Sequence, residues 1–152
     1  MTSITLITGY ASIFGTKDEV NDIMIHGAFD KCIKNLESSK SRLPLLNSHS
    51  TDEPIGVITS LTEDDIGLLI TAELFTKDIP AAAQAYKLMQ EKVLTGLSIG
   101  HKVTRCEFSP EAGKLCNARK IFETELVEIS TVIFPAHRDA RIINFVDWEA
   151  TP

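Results

Sequence analysis

Apolar and polar residues alternate along most of this chain, and the period lengthens to that of a helix at two places. Residues 4 to 14 are rich in β-branched and aromatic types and end at Gly15, which predicts a first strand. Residues 15 to 27, with Asp18, Glu19, Asn21 and Asp22, read as a long polar loop. From Ala28 to Ser38, Phe29, Cys32, Ile33 and Leu36 recur at helical spacing, and Ser39-Lys40-Ser41 breaks the pattern. Leu43-Pro44-Leu45-Leu46 is a short apolar strand running into Asn47-Ser48-His49-Ser50-Thr51-Asp52. Ile55, Val57, Thr59 and Leu61 alternate outward. Glu63 to Gly67 reads as a hairpin turn with Gly67 free to take positive φ, and Leu68, Ile70, Ala72 and Leu74 alternate back. Asp78 is placed to cap a second helix, with Pro80 in its first turn, running to about Val93 and closed by Thr95-Gly96. A strand follows over about Leu97 to Phe108, then a turn over Ser109 to Gly113. Two strands over about Ala118 to Glu125 and Leu126 to Phe134 come next, and a segment with Ile142, Ile143 and Phe145 closes the chain.

Six or seven strands in hairpin order with two inserted helices predict an α+β, mainly β fold: a small antiparallel or mixed β-barrel flanked by helices. The 152 residues are expected to form a single domain with a real core. A formal charge of −6, with no block of Lys or Arg, argues against a nucleic-acid binder. No apolar run approaches membrane-spanning length, and the first residues make a poor signal peptide, so a soluble intracellular protein with no membrane partner is expected. Cys32, Cys106 and Cys116 form no C-x-x-C pair and are expected to be free thiols. No histidines or cysteines have zinc-site spacing, so neither metal nor cofactor is expected.

Candidate chemistry centres on Thr95-Gly96-Leu97-Ser98-Ile99-Gly100-His101. Gly96 and Gly100 leave Ser98 uncrowded, and glycine inside a strand often marks a close approach of a ligand or another backbone. The pattern is not a nucleophile elbow, because here the helix precedes the serine and an extended segment follows it. His49 lies just after an apolar strand, in a polar segment. His101 alternates with Ser98 and should point to the opposite face, while His26 and His137 lie in loops. Glu128 is a charge within the apolar Leu126-Val127-Glu128-Ile129-Ser130-Thr131-Val132-Ile133. Alternation puts it with Ser130 and Val132 on one face, and Val127, Ile129 and Ile133 on the other. A carboxylate buried there needs a partner, which could be a lysine, an arginine or the N–H of a histidine. Glu125 sits at the strand entrance, where solvent can reach it. The residues alone leave open a satisfied strand serine, a surface-loop histidine and a structural ion pair.

Several stretches recur together in a known order. They are Gly9-Tyr10-Ala11-Ser12-Ile13-Phe14, the Asp22 loop leading to His26-Gly27-Ala28-Phe29, the apolar strand into His49, Pro54-Ile55-Gly56-Val57, Gly96-Leu97-Ser98-Ile99-Gly100, and Glu125 to Ser130 with Phe134-Pro135-Ala136. Over nearly its whole length the chain resembles the prohead maturation proteases of tailed bacteriophages, a family similar in fold and chemistry to the herpesvirus assemblins. It departs from them at His101, where an aromatic is usual, and at His137, where a small polar residue is usual. The resemblance implies a herpesvirus-protease-like barrel and a serine endopeptidase with nucleophile Ser98, base His49 and orienting acid Glu128. It implies a phage- or prophage-encoded enzyme in the host cytoplasm, inside the assembling procapsid. Its substrates would be scaffold and major capsid protein precursors and its own chain, and it would self-associate as a homodimer or higher. Two alternatives stand beside it. One is a scaffold or capsid-assembly domain that keeps the fold without the chemistry, and the other is a different hydrolase with His101 or His137 as base.

Overall fold

A computed structural model of the chain describes residues 3–110 and 117–149. The elements in order are β1 (Ser3–Ile13), β2 (Asp22–Met24), α1 (Asp30–Ser38), β3 (Pro44–Asn47), β4 (Ser50–Glu63), β5 (Gly67–Leu74), α2 (Pro80–Gln90), β6 (Gly96–Pro110), β7 (Asn117–Val132) and β8 (Ile142–Glu149). The fold is mainly β with two helices, as the alternation predicts. Alternate residues of β1 and β5 fill the core, with Ile7, Leu68 and Ile70 fully buried. β4 breaks the expected alternation: residues 55 to 58 are all buried and Thr59 is exposed, because the register shifts between Ile58 and Ser60. Phe29 at the entry of α1 and Ala82, Ala85 and Met89 of α2 pack into the same cluster. Among the described residues no helix is long and apolar enough to cross a membrane.

The eight described strands form one sheet in the order β2-β7-β3-β4-β5-β1-β8, with β6 paired to β7. β6 runs antiparallel along the whole of β7, from Gly96↔Val132 to Pro110↔Asn117. A strand has two edges, so β2 and β3 share the other one. β2 lies parallel at Arg119 to Ile121, and β3 lies parallel at Ile129 to Thr131. No ladder among the described residues closes this sheet into the expected barrel. Among the described residues, isolated bridges between Gly96 and Arg141 and between Phe14 and Met24 join the sheet's ends instead. At the first, the Leu97 amide donates to the Ala140 carbonyl (3.0 Å) and the Ile142 amide to the Thr95 carbonyl (2.9 Å).

Several local readings change. β7 is one strand, not two, because β6 lines its full length. The polar loop at 15 to 27 contains β2, whose backbone pairs with β7 although its residues do not alternate. Ile79, not Asp78, is the N-cap of α2, and no side chain caps it, although Pro80 does open the helix. The helix stops before Val93 because Lys92 takes a left-handed φ of 58°. Gly67 has no positive φ. A Cβ there would press within 3.0 Å of the Ser12 backbone carbon of β1. Glu63, a turn acid by sequence, instead accepts the Gly27 and Phe29 amides at 2.9 Å each and so fixes the entry of α1. Cys32 and Cys106 are free thiols, while Cys116 and most of the turn at 109 to 113 lie outside the described residues.

Thr131 of β7 is fully buried between Leu97 on one side and Asn47 on the other. Its carbonyl accepts the Ser48 amide (2.9 Å), but its hydroxyl has no partner. An unbonded buried hydroxyl is destabilising by roughly 1–3 kcal/mol. Thr131→Val, which exchanges it for a methyl of similar size, should keep the fold and raise stability by about 1 kcal/mol. The measurement is the urea midpoint at unchanged slope, and a lower midpoint would show that the hydroxyl is bonded.

Candidate active site

The β6–β7 ladder sets three pairs on one face: Gly96↔Val132, Ser98↔Ser130 and Gly100↔Glu128. Glu128, Ser130 and Val132 therefore share a face, as the alternation predicts. One step on, Gly100 pairs with Glu128 but His101 pairs with Leu126, so Val127 is squeezed out of register. Val127, expected on the apolar face with Ile129, is in consequence 51% exposed. The glycines have a reason the sequence did not supply. A Cβ at Gly100 would lie 2.8 Å from Glu128 Cγ, and one at Gly96 would lie 2.8 Å from Pro135 Cδ. Gly100 makes room for the carboxylate rather than for Ser98.

His49 stands in the tight turn between β3 and β4. Asn47 pairs with Ser50 across a two-residue loop, and both loop residues are left-handed: φ is 50° at Ser48 and 61° at His49. Positive φ at both central positions is the signature of the type I′ hairpin turn, which asparagine and glycine normally occupy. The turn is anchored on β7. The Ser48 amide donates to the Thr131 carbonyl (2.9 Å), and the His49 amide to Ser130 Oγ (2.9 Å). That geometry swings the imidazole onto Glu128, and Nδ1 of His49 bonds to Glu128 Oε1. Ser130 Oγ donates to the other carboxylate oxygen, Oε2, at 2.7 Å. Glu128 is 7% exposed, and its carboxylate is held by an imidazole N–H and a hydroxyl, with no lysine or arginine bonded to it among the described residues. Because a carboxylate only accepts, Nδ1 carries the proton in this bond, and Nε2 of a neutral His49 is left as an acceptor. Glu125 remains exposed, opposite Lys102.

Ser98 is 7% exposed, and its hydroxyl has no hydrogen-bond partner among the described residues. It lines a cavity of about 230 Å³ that His49 also lines. His101 and His137 reach the same cavity, but each ring has a nitrogen committed elsewhere. Thr124 Oγ1 donates to the Lys102 carbonyl (2.9 Å), so it must accept from His101 Nδ1 (2.7 Å). Burial pushes the His101 imidazole below the ordinary histidine range. His137 Nδ1 accepts the Asp139 amide (3.1 Å), which leaves Nε2–H to donate to Thr16 Oγ1 (2.7 Å). His26 sits edge-on against Phe14 and does not line that cavity. None of these three shares a carboxylate as His49 does. Ser130 is the residue that sequence reasoning missed. Its place on the Glu128 face was readable, but its bond to a turn residue far along the chain was not. Asp22 was likewise read as a loop acid. It is buried, and Arg119 grips it through Nε and Nη2 at 2.7 Å each.

The fold is that of viral proteases. The bacteriophage T4 capsid assembly protease superposes with a TM-score of 0.62 over 86% of this chain and 82% of that one, at 13% identity. A KSHV protease, solved in complex with a hexapeptide phosphonate inhibitor, gives 0.58 over 94% of this chain and 65% of its own, at 10% identity. The chain belongs to the caudovirus prohead serine proteases, whose family description matches residues 1–151. The prohead protease of Enterobacteria phage HK97 is 31% identical over 140 residues. That match takes in 90% of this chain but 58% of the HK97 protein's length.

Ser130 holds both halves of the histidine–carboxylate pair. Ser130→Ala removes the donor to Glu128 and the acceptor for the His49 amide, leaving a buried carboxylate and a part-buried amide short of partners. Stability should fall by roughly 1–3 kcal/mol. Thermal and urea unfolding measure it, and a change under about 0.5 kcal/mol, as for an ordinary surface site, would mean that the hydroxyl holds neither group.

Proposed function

We propose that this chain is a serine endopeptidase of capsid maturation, with Ser98 as nucleophile, His49 as general base and Glu128 as the acid that orients the imidazole. The observation that carries it is the His49 ring, tied through Nδ1 to buried Glu128, on the wall of the cavity that the unpartnered Ser98 hydroxyl also lines. A scaffold or assembly domain needs none of these three side chains, and a buried carboxylate without a cation is costly to keep for structure alone.

The steps follow from the residues. A serine hydroxyl is a weak nucleophile and needs an adjacent base. His49 Nε2 takes the proton as Ser98 Oγ bonds to the scissile carbonyl carbon. When the C–N bond breaks, Nε2 returns that proton to the departing amine, and water then repeats the sequence on the acyl-serine. Glu128 keeps Nδ1 protonated and stabilises the imidazolium that forms. The substrates we propose are scaffold and major capsid protein precursors, together with the chain's own flanks, cut inside the assembling procapsid in the host cytoplasm. The same proposal takes residues 1–152 as one protease domain. It takes the sheet, with its edges brought together at Gly96 and Arg141, as a small barrel open at one seam.

Cleavage of a capsid or scaffold precursor tests the assignment. Ser98→Ala and His49→Ala should abolish it in folded protein, whereas His101→Ala should change it much less. Glu128→Gln should lower turnover on the order of 10- to 1,000-fold, by analogy with loss of the orienting acid in other triads. Full activity in folded Ser98→Ala would remove the serine mechanism, and full activity in Glu128→Gln would leave a dyad.

Self-association is proposed on family resemblance alone. Specific activity should rise with enzyme concentration, in step with a dimer or larger species in sedimentation. Constant specific activity from a monomer would dismiss it.

A further inference from the structure

The cavity beside Ser98 has a second chemical feature that the proton relay does not use. Its walls are apolar at Ile13 and Met24 and acidic at Asp18 and Asp22. Asp22 is already neutralised by the two-point grip of Arg119. Asp18 is not. Its Oδ1 accepts the amides of Val20 and Asp22 at 2.9 Å each, which fixes the loop and leaves Oδ2 for another group. The Asp22 carboxylate acts on it repulsively, while the His137 and His101 imidazoles and the Arg119 guanidinium act on it from a distance, none of them forming a salt bridge with it among the described residues. Burial holds the Asp18 carboxyl above its ordinary value despite those two amides. Ser98 lines the same space, 7% exposed and with its hydroxyl unpartnered.

We infer that this cavity receives a basic side chain, lysine or arginine, from the substrate residue whose carbonyl Ser98 attacks, and that Asp18 is the residue that recognises it. The inference rests on the reading of Ser98 as nucleophile. The cavity volume of about 230 Å³ lies below the roughly 300–1,000 Å³ of small-molecule sites and suits one side chain. A lysine or arginine stem can lie along Ile13 and Met24 while its charged end meets Asp18, the division of labour such side chains usually adopt. An acidic side chain would meet two carboxylates, only one of them neutralised. A purely apolar one would cover Asp18 without compensating its charge. A bound metal ion fits poorly, since among the described residues no group of three or more histidine, cysteine or acidic side chains could hold one.

Two peptidyl diphenyl phosphonates, identical except for lysine or norleucine at the reacting position, test this on the full chain. In each, Ser98 Oγ bonds to phosphorus and a phenol leaves with the serine proton. The lysine probe should label Ser98 roughly 10- to 100-fold faster, a range set by a partly exposed carboxylate rather than a sealed one. Asp18→Asn keeps an oxygen for the Val20 and Asp22 amides. It should bring the lysine rate down towards the norleucine rate and slow the norleucine probe much less than the lysine probe. Equal rates in the wild type, or a norleucine preference, overturn the pocket while leaving the serine assignment standing, and this comparison needs no variant to fold. Equal slowing of both probes by Asp18→Asn also overturns it, because that marks a structural role. Failure of both probes to label Ser98 counts against the nucleophile itself, and the pocket falls with it.

Discussion

A carboxylate enclosed in a sheet has to find hydrogen atoms, and in this molecule Glu128 dictates where its neighbours stand. It sits near the end of β7, with β6 along one edge and β3 beginning beside Ile129 on the other, and is only 7% exposed, so water reaches little of it. Space for it comes from the missing side chain at Gly100. One bond comes from Ser130, two residues along the same face, and the other from an imidazole delivered by the turn after β3. Ser130 spends its donor on the acid and its acceptor on the turn, so the position of His49 and the state of Glu128 are set together.

The topology makes that arrangement possible. β7 is long enough to carry β2 and β3 on one edge at opposite ends and β6 on the other. The short parallel contact with β3 ends where the turn begins, so His49 emerges over the C-terminal end of β7. The antiparallel contact with β6 places Ser98 across from Ser130. Near the other end of β7, Arg119 holds Asp22 and with it the loop that carries Asp18. One strand thus organises Ser98, His49 and Glu128 at one end and the cavity's far wall at the other.

How much of this the sequence discloses depends on range. Local periodicity is enough to put Glu128 with Ser130, and Ile129 on the opposite face, because alternation needs no knowledge of partners. It also finds both helices and most strands. It fails where pairing overrides it. The register shift at Val127 leaves no trace in an unbroken apolar run, and β2 hides in a polar loop because its pairing is made by backbone. Hairpin order allows an antiparallel or a mixed sheet, and the two parallel contacts of β7, which no local pattern marks, make it mixed. Ser98 and His49 could be singled out by residue type and family resemblance. That His49 meets Glu128, 79 positions away, depends on a turn that no pattern in Asn47-Ser48-His49-Ser50 announces.

That turn also sets stability against chemistry. Asparagine and glycine are the residues its backbone prefers, and a left-handed conformation is unfavourable for other side chains by roughly 1–2 kcal/mol per residue. Stabilisation by consensus or by directed selection for heat resistance would drift towards Asn-Gly at positions 48 and 49. The second of those changes would erase the imidazole. On the role proposed for His49, the sequence that folds best is not the sequence that carries the proton, and selection for that chemistry is what would hold a histidine in a position whose backbone suits glycine.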